Sequence, residues 1–281
     1  ALERLADIGI DMDSVTDQLL REGVDAFAKS YNTVLQTIED KATALATAPH
    51  ATKVFLTSHQ SSIADAQSEI EKASVINRIW EHDHTVWHKD PTEITDRLGW
   101  LHLPETIRSS MEMIVSLQQH IRASKARHLV LMGMGGTGLS PKIYTSVLPQ
   151  VAGYPDLILL DSTLPETVQE VTNKIDPALT TFIAASKSGE TIEIDAFYRH
   201  FRAIADATVG RQEAGTRFIA ITDSGSPLEK LAHSEGFSTV LLNPTDVGGR
   251  FSALSLFGLV PAAIAGIDLR NVLDSAQQMQ T

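Results

Sequence analysis

The stretch His128-Leu129-Val130-Leu131-Met132-Gly133-Met134-Gly135-Gly136-Thr137-Gly138-Leu139-Ser140-Pro141 decides the fold. Leu129 to Met132 is an unbroken apolar run, too short for a helix, as expected of a strand covered on both faces. The glycines after it turn the chain into a helix. The same unit then recurs. Asp156–Leu160, Thr181–Ser186, Arg217–Thr222 and Ser238–Leu242 read as strands, and residues 139–148, 165–174, 190–208 and 227–235 as the helices between them. Ser226-Pro227-Leu228-Glu229 supplies a cap, a first-turn proline and a capping-box glutamate in order. With short links and right-handed crossovers, the alternation predicts an α/β fold, a five-stranded parallel doubly wound sheet preceded by an α-helical segment. Such sheets bind ligands at the carboxyl ends of their strands.

Upstream of residue 128 the period is helical. Val15, Leu19, Leu20, Phe27, Tyr31, Val34, Leu35, Ile38 and Leu45 mark one face of a long helix, or of two helices broken near Gly23, with Ser14 and Thr16 as candidate caps. Further helices are expected from about Ser62 to Trp80 and from Pro104 to Ser124. Glu81 to Leu103, rich in His, Trp and charge, reads as a connector. His82, His84, His88 and His102 lack the spacing of a metal site on a helix, so no metal is expected. The three segments are taken as residues 1–48, 49–127 and 128–281.

The 281 residues carry 23 Lys+Arg against 35 Asp+Glu, a formal charge of −12, and no cysteine. That charge repels nucleic acid and anionic membranes, so neither is an expected partner, and an anionic ligand must be caught locally. Zero cysteine removes disulfides and thiolate chemistry and fits a cytoplasmic location. The longest uncharged run, Phe251 to Ile267, is shorter than the roughly 20 residues of a membrane span and contains Pro261.

Three loops at strand ends carry candidate chemistry. Gly133 to Pro141 offers bare N–H groups at a helix start. It reads as an anion site or, through Gly133, Gly135, Gly138 and Asp161 at the end of strand two, as a nicotinamide dinucleotide site. Ser186-Lys187-Ser188-Gly189-Glu190-Thr191 sets three hydroxyls and a cation around a glycine, an arrangement suited to a phosphate dianion. Asp246-Val247-Gly248-Gly249-Arg250-Phe251-Ser252 delivers a permanent charge to the same edge, or else an arginine paired with Asp246.

Taken together, Gly133-Met134-Gly135-Gly136-Thr137, Ser186 to Thr191 and Gly248-Gly249-Arg250-Phe251-Ser252 resemble the first sugar isomerase domain of the glucose-6-phosphate isomerase family. The resemblance implies a hexose phosphate substrate and no cofactor. It assigns Ser186, Ser188 and Thr191 to the phosphate, with Lys187, Gly136, Thr137 and Gly249 as further substrate-binding residues, and Arg250 to the negative charge that develops in catalysis. Residues 1–45, with Gly9-Ile10-Asp11, Val15-Thr16 and Glu22-Gly23-Val24-Asp25-Ala26-Phe27, are similar to the C-terminal end of a transaldolase. The resemblance therefore implies a bifunctional, homo-oligomeric parent enzyme. This chain matches neither the Schiff-base lysine of the transaldolases nor the glutamate base and ring-opening histidine of the isomerases, so it is expected to bind better than it catalyses. A nicotinamide-dependent oxidoreductase and a non-catalytic sugar phosphate module are the competing readings.

Overall fold

The computed structural model describes residues 11–47 and 60–280. Gly9, Ile10 and residues 48–59 lie outside the described residues. By internal contact the chain divides into two units, Ala1–Ile70 and Glu71–Thr281.

In the first unit, α1 spans Met12–Thr47 as one continuous helix of 36 residues that Gly23 does not interrupt. It starts two residues before the expected cap at Ser14. The Ser14 hydroxyl donates to Asp11 Oδ2 at 2.8 Å and the Thr16 hydroxyl to the Met12 carbonyl at 3.0 Å. Both hydroxyls therefore lie inside the first turns, where they bond backward along the helix rather than cap it. The apolar stripe is present and exposed, with Leu19, Leu20, Phe27, Tyr31 and Val34 open to solvent. Most of α2, Gln60–Lys72, belongs to the same unit.

The second unit begins at Glu71, near the end of α2, and the single helix expected from about 62 to 80 breaks just beyond it. Ser74 takes a φ of 50° and separates α2 from α3, Val75–Trp80. Short 3₁₀ turns carry the connector to α4, Leu103–Thr106, and α5, Met111–Ala123. The helix expected from Pro104 is thus interrupted by a 3₁₀ turn at Ile107–Ser110.

The sheet then follows in chain order as β1 His128–Gly133, α6 Gly136–Val147, β2 Asp156–Leu160, α7 Pro165–Lys174 and β3 Thr180–Ala185. It continues with α8 Ile192–Val209, α9 Arg211–Thr216, β4 Phe218–Thr222, α10 Pro227–Ser234 and β5 Thr239–Leu242, and closes with α11 Leu256–Ile264 and α12 Leu269–Gln280. All four pairings are parallel, in the order β2-β1-β3-β4-β5. The direction of winding reverses between β1 and β3. Their carboxyl ends are in register, Gly133 beside Ala185, so the loops that follow leave the sheet side by side.

Each strand divides its apolar residues between two cores, as the pleat requires. Leu129, Leu131, Ile183, Ile219 and Ile221 face α5, α11 and α12, while Val130, Met132, Phe182, Phe218 and Ala220 face α8 and α10. The uncharged run is accounted for by α11, whose residues are all buried between the sheet and its neighbours. Among the described residues, no helix is long and apolar enough to cross a membrane.

Candidate functional site

At the carboxyl end of β3 the chain runs through Ser186 to Thr191 and enters α8, with Thr191 as the residue before its first turn. Ser186 is buried. Its hydroxyl pairs with that of Thr191 at 2.7 Å and accepts the Gly189 N–H at 3.0 Å, while Ser188 accepts the Glu190 N–H at 3.2 Å. The loop is thereby curled around the N-terminus of an eighteen-residue helix, where unpaired N–H groups and the helix dipole favour an anion. Gly189 is required for two reasons. Its φ is +70°, and a Cβ there would come within 2.8 Å of the Leu228 nitrogen and the Ser226 Cβ. A cleft of about 220 Å³ opens beside the loop, lined by Ser186, Gly189, Thr191, Tyr198 and Leu228 among others.

Lys187 does not lie with these hydroxyls as their counter-charge. Its ammonium donates to Asp223 Oδ2 at 2.5 Å and to the Thr245 carbonyl at 2.7 Å, which draws it toward the ends of β4 and β5.

The other half of the edge is made by backbone contact. A Cβ on Gly136 would collide with the carbonyl of Gly249 and lie 3.3 Å from the Arg250 Cα. The glycine turn after β1 and the 3₁₀ turn Gly249–Leu254 therefore touch main chain to main chain. Thr137 is buried and donates to the Met134 carbonyl at 3.0 Å, closing the glycine turn. Tyr144, on α6, donates to the Ala253 carbonyl at 3.1 Å, and burial pushes its phenol up to about 12. From the connector, Trp100 stacks on Phe251 with ring centroids 5.1 Å apart, and the Gly99 N–H donates to the Asp246 carbonyl at 2.9 Å.

Arg250 is exposed, and among the described residues it forms no ion pair. The partner expected in its structural role, Asp246, has its carboxylate against Gly99 instead. The edge thus holds an uncommitted guanidinium on one side and a ring of hydroxyl and N–H groups on the other. Asp161 follows β2 and is exposed. The sequence reading overlooked Asp223 and the Trp100–Phe251 stack. Asp223 carried a usable signal, an acid directly after a buried strand at the ligand-binding edge, but a lone aspartate offers no motif.

The family model for phosphoglucose isomerase matches residues 92–281. The chain belongs to the phosphoglucose isomerase family. Its relatives include the glucose-6-phosphate isomerases of Staphylococcus saprophyticus, 30% identical over 200 residues, and Parabacteroides distasonis, 32% identical over 194 residues. These matches cover 69% and 66% of this chain but only 45% and 43% of the two relatives, so the chain spans less than half of their length. Among solved structures, a hypothetical protein of Thermus thermophilus superposes with a TM-score of 0.65 and 29% identity, over 79% of this chain and 50% of that one. A glucose-6-phosphate isomerase of Chlamydia trachomatis superposes with a TM-score of 0.52 and 26% identity, over 68% of this chain and 34% of that one. The family match covers the sheet that carries the three loops.

Proposed function

We propose that this chain is the sugar phosphate-binding part of an enzyme that interconverts glucose 6-phosphate and fructose 6-phosphate. The observation that carries the reading is the curled Ser186–Thr191 loop at a helix N-terminus, on the same edge as an unpaired Arg250. Ser186, Ser188 and Thr191 hold the phosphate, with Lys187 supporting that loop. Gly136, Thr137 and Gly249 form the wall beside the sugar.

Moving a proton between C1 and C2 passes through an enediolate, which needs a base beside those carbons and positive charge at their oxygens. Arg250 supplies the charge. Binding the unreactive phosphate fixes the reacting end, so remote binding energy lowers the barrier. We assign no residue of this chain as the base and expect binding without useful turnover. In the finer reading the parent also carries a transaldolase, of which α1 is the last helix and residues 49–127 lead to the isomerase. That part rests on the resemblance of residues 1–45.

Titration calorimetry with fructose 6-phosphate, inorganic phosphate and NAD tests the assignment. Fructose 6-phosphate is expected to bind more tightly than inorganic phosphate, and NAD not at all. Binding of NAD alone would return the glycine turn and Asp161 to the oxidoreductase reading.

A further inference from the structure

The Lys187–Asp223 pair ties the phosphate loop to two other loops. Lys187 follows β3, Asp223 follows β4 and Thr245 follows β5, and a single ammonium joins them with contacts of 2.5 and 2.7 Å. An ammonium has three donors, so two of them are committed away from the hydroxyl ring. The backbone reinforces the link, since the Asp223 N–H donates to the Lys187 carbonyl at 3.2 Å. Thr222 shares a 2.8 Å hydroxyl contact with Ser226, whose Cβ lies against Gly189.

The pair is mostly withdrawn from water, with 23% and 19% of the two side chains exposed. Asp223 Oδ1 is buried and has no hydrogen-bond partner among the described residues. Burial pushes the Asp223 carboxyl up, while Lys187 pulls it down. A half-satisfied buried carboxylate is a poor source of stability, and such groups are best attested as devices that fix one arrangement.

We propose that Asp223 is a positioning residue for the phosphate anchor. By holding Lys187 against the β4 and β5 loops, it keeps Ser186 to Thr191 in the curl that receives a sugar phosphate. This deepens the hexose phosphate reading and rests on it. The opposite role for the same pair is competition, in which Asp223 withholds Lys187 from the ligand. The two roles differ in sign. Removing a positioning carboxylate weakens anion binding, whereas removing a competitor frees a cation, deletes a nearby negative charge and tightens it.

The test measures fructose 6-phosphate and inorganic phosphate binding by the full chain, with Asp223→Asn, Lys187→Met, the double variant and Asp223→Glu, each checked for fold by circular dichroism. Each of the first two changes is expected to weaken both ligands about tenfold, and the double variant to be no weaker than the worse single one, because the residues act as a unit. Asp223→Glu keeps the charge and is expected to recover to within about threefold of the unaltered chain. Unchanged or tighter binding by Asp223→Asn overturns the proposal, as do additive losses in the double variant. If Asp223→Asn does not fold, Lys187→Met and Asp223→Glu decide, and full affinity in Lys187→Met refutes the proposal. A chain that binds neither ligand before any change overturns the hexose phosphate reading itself, and this inference with it.

Discussion

The two ends of the edge, the Ser186–Thr191 loop proposed to hold phosphate and the Gly249–Leu254 turn proposed to face the reacting carbons, are built differently. The phosphate loop closes on itself between Ser186 and Thr191 through hydroxyl and N–H contacts made by neighbours in sequence. The turn that bears Arg250 also closes locally, the Ser252 hydroxyl donating to the Gly249 carbonyl at 2.7 Å and the Phe251 N–H to the Gly248 carbonyl at 2.9 Å, but its seat draws on distant segments as well. It is assembled from the connector through Trp100, from the β1 turn through Gly136 and from α6 through Tyr144, by stacking, backbone contact and one phenol. The Ser186–Thr191 loop makes its closing hydrogen bonds within itself and is tied to distant chain through Lys187, whereas the seat of Arg250 is held from three separate segments and is sensitive to each of them.

The sharpest way to test this contrast is at the phosphate. Thr191→Ala and Ser188→Ala each remove a donor to a dianion and are expected to cost about 1.5–3 kcal/mol of fructose 6-phosphate affinity with little change in stability. Calorimetry with a parallel urea melt checks both. Equal losses in binding and stability would mean that these hydroxyls hold the fold of the loop rather than the ligand.

Gly136→Ala is next. Its methyl group meets the Gly249 carbonyl, so the two turns must part, and overpacking of this kind costs about 1–3 kcal/mol. The urea midpoint is expected to fall while inorganic phosphate still binds, because the phosphate loop makes no use of that contact.

Tyr144→Phe removes one hydrogen bond and is expected to cost about 1 kcal/mol at neutral pH. Its pH dependence is more distinctive. Burial raises the phenol to about 12 from 10.0, so the folded chain favours the protonated form. That stabilisation is complete below pH 10 and is lost as pH rises from 10 through about 12. Urea melts between pH 8 and 12 should therefore show an alkaline loss in the unaltered chain that Tyr144→Phe reduces.

The smallest effect belongs to Arg250, whose exposure allows water to screen it. Arg250→Ala is expected to weaken a phosphorylated hydroxamate, an anionic enediolate mimic, measurably more than fructose 6-phosphate, by up to about 1 kcal/mol, and Arg250→Lys by less. Equal losses for mimic and substrate would give Arg250 a structural role.

What was legible in the sequence follows the same division. The five strands were readable because burial on both faces leaves unbroken apolar runs, and the helix over 165–174 and the cap at Ser226 because their signals lie within a few residues. The positive φ of Gly189 follows from its place in a hydroxyl-rich turn. The break at Ser74 was not legible, since a serine in the left-handed region leaves no mark in an apolar period. Helix α12 and the short α9 also went unread, although Leu269, Val272, Leu273 and Ala276 of α12 keep helical spacing; α9, Arg211–Thr216, is under two turns long. The Lys187–Asp223 pair joins residues 36 positions apart, and no local pattern announces it.

The clamp of Tyr144 on Ala253 spans 109 positions, which has a consequence for the order in which the protein is made. During synthesis β1 and β3 are complete, and the phosphate loop is already out, long before the turn that bears Arg250 emerges. Closing so long a loop carries an entropic cost before its contacts repay it. A nascent chain therefore completes the Ser186–Thr191 loop well before the turn that bears Arg250 is available to seat against Gly136 and Tyr144.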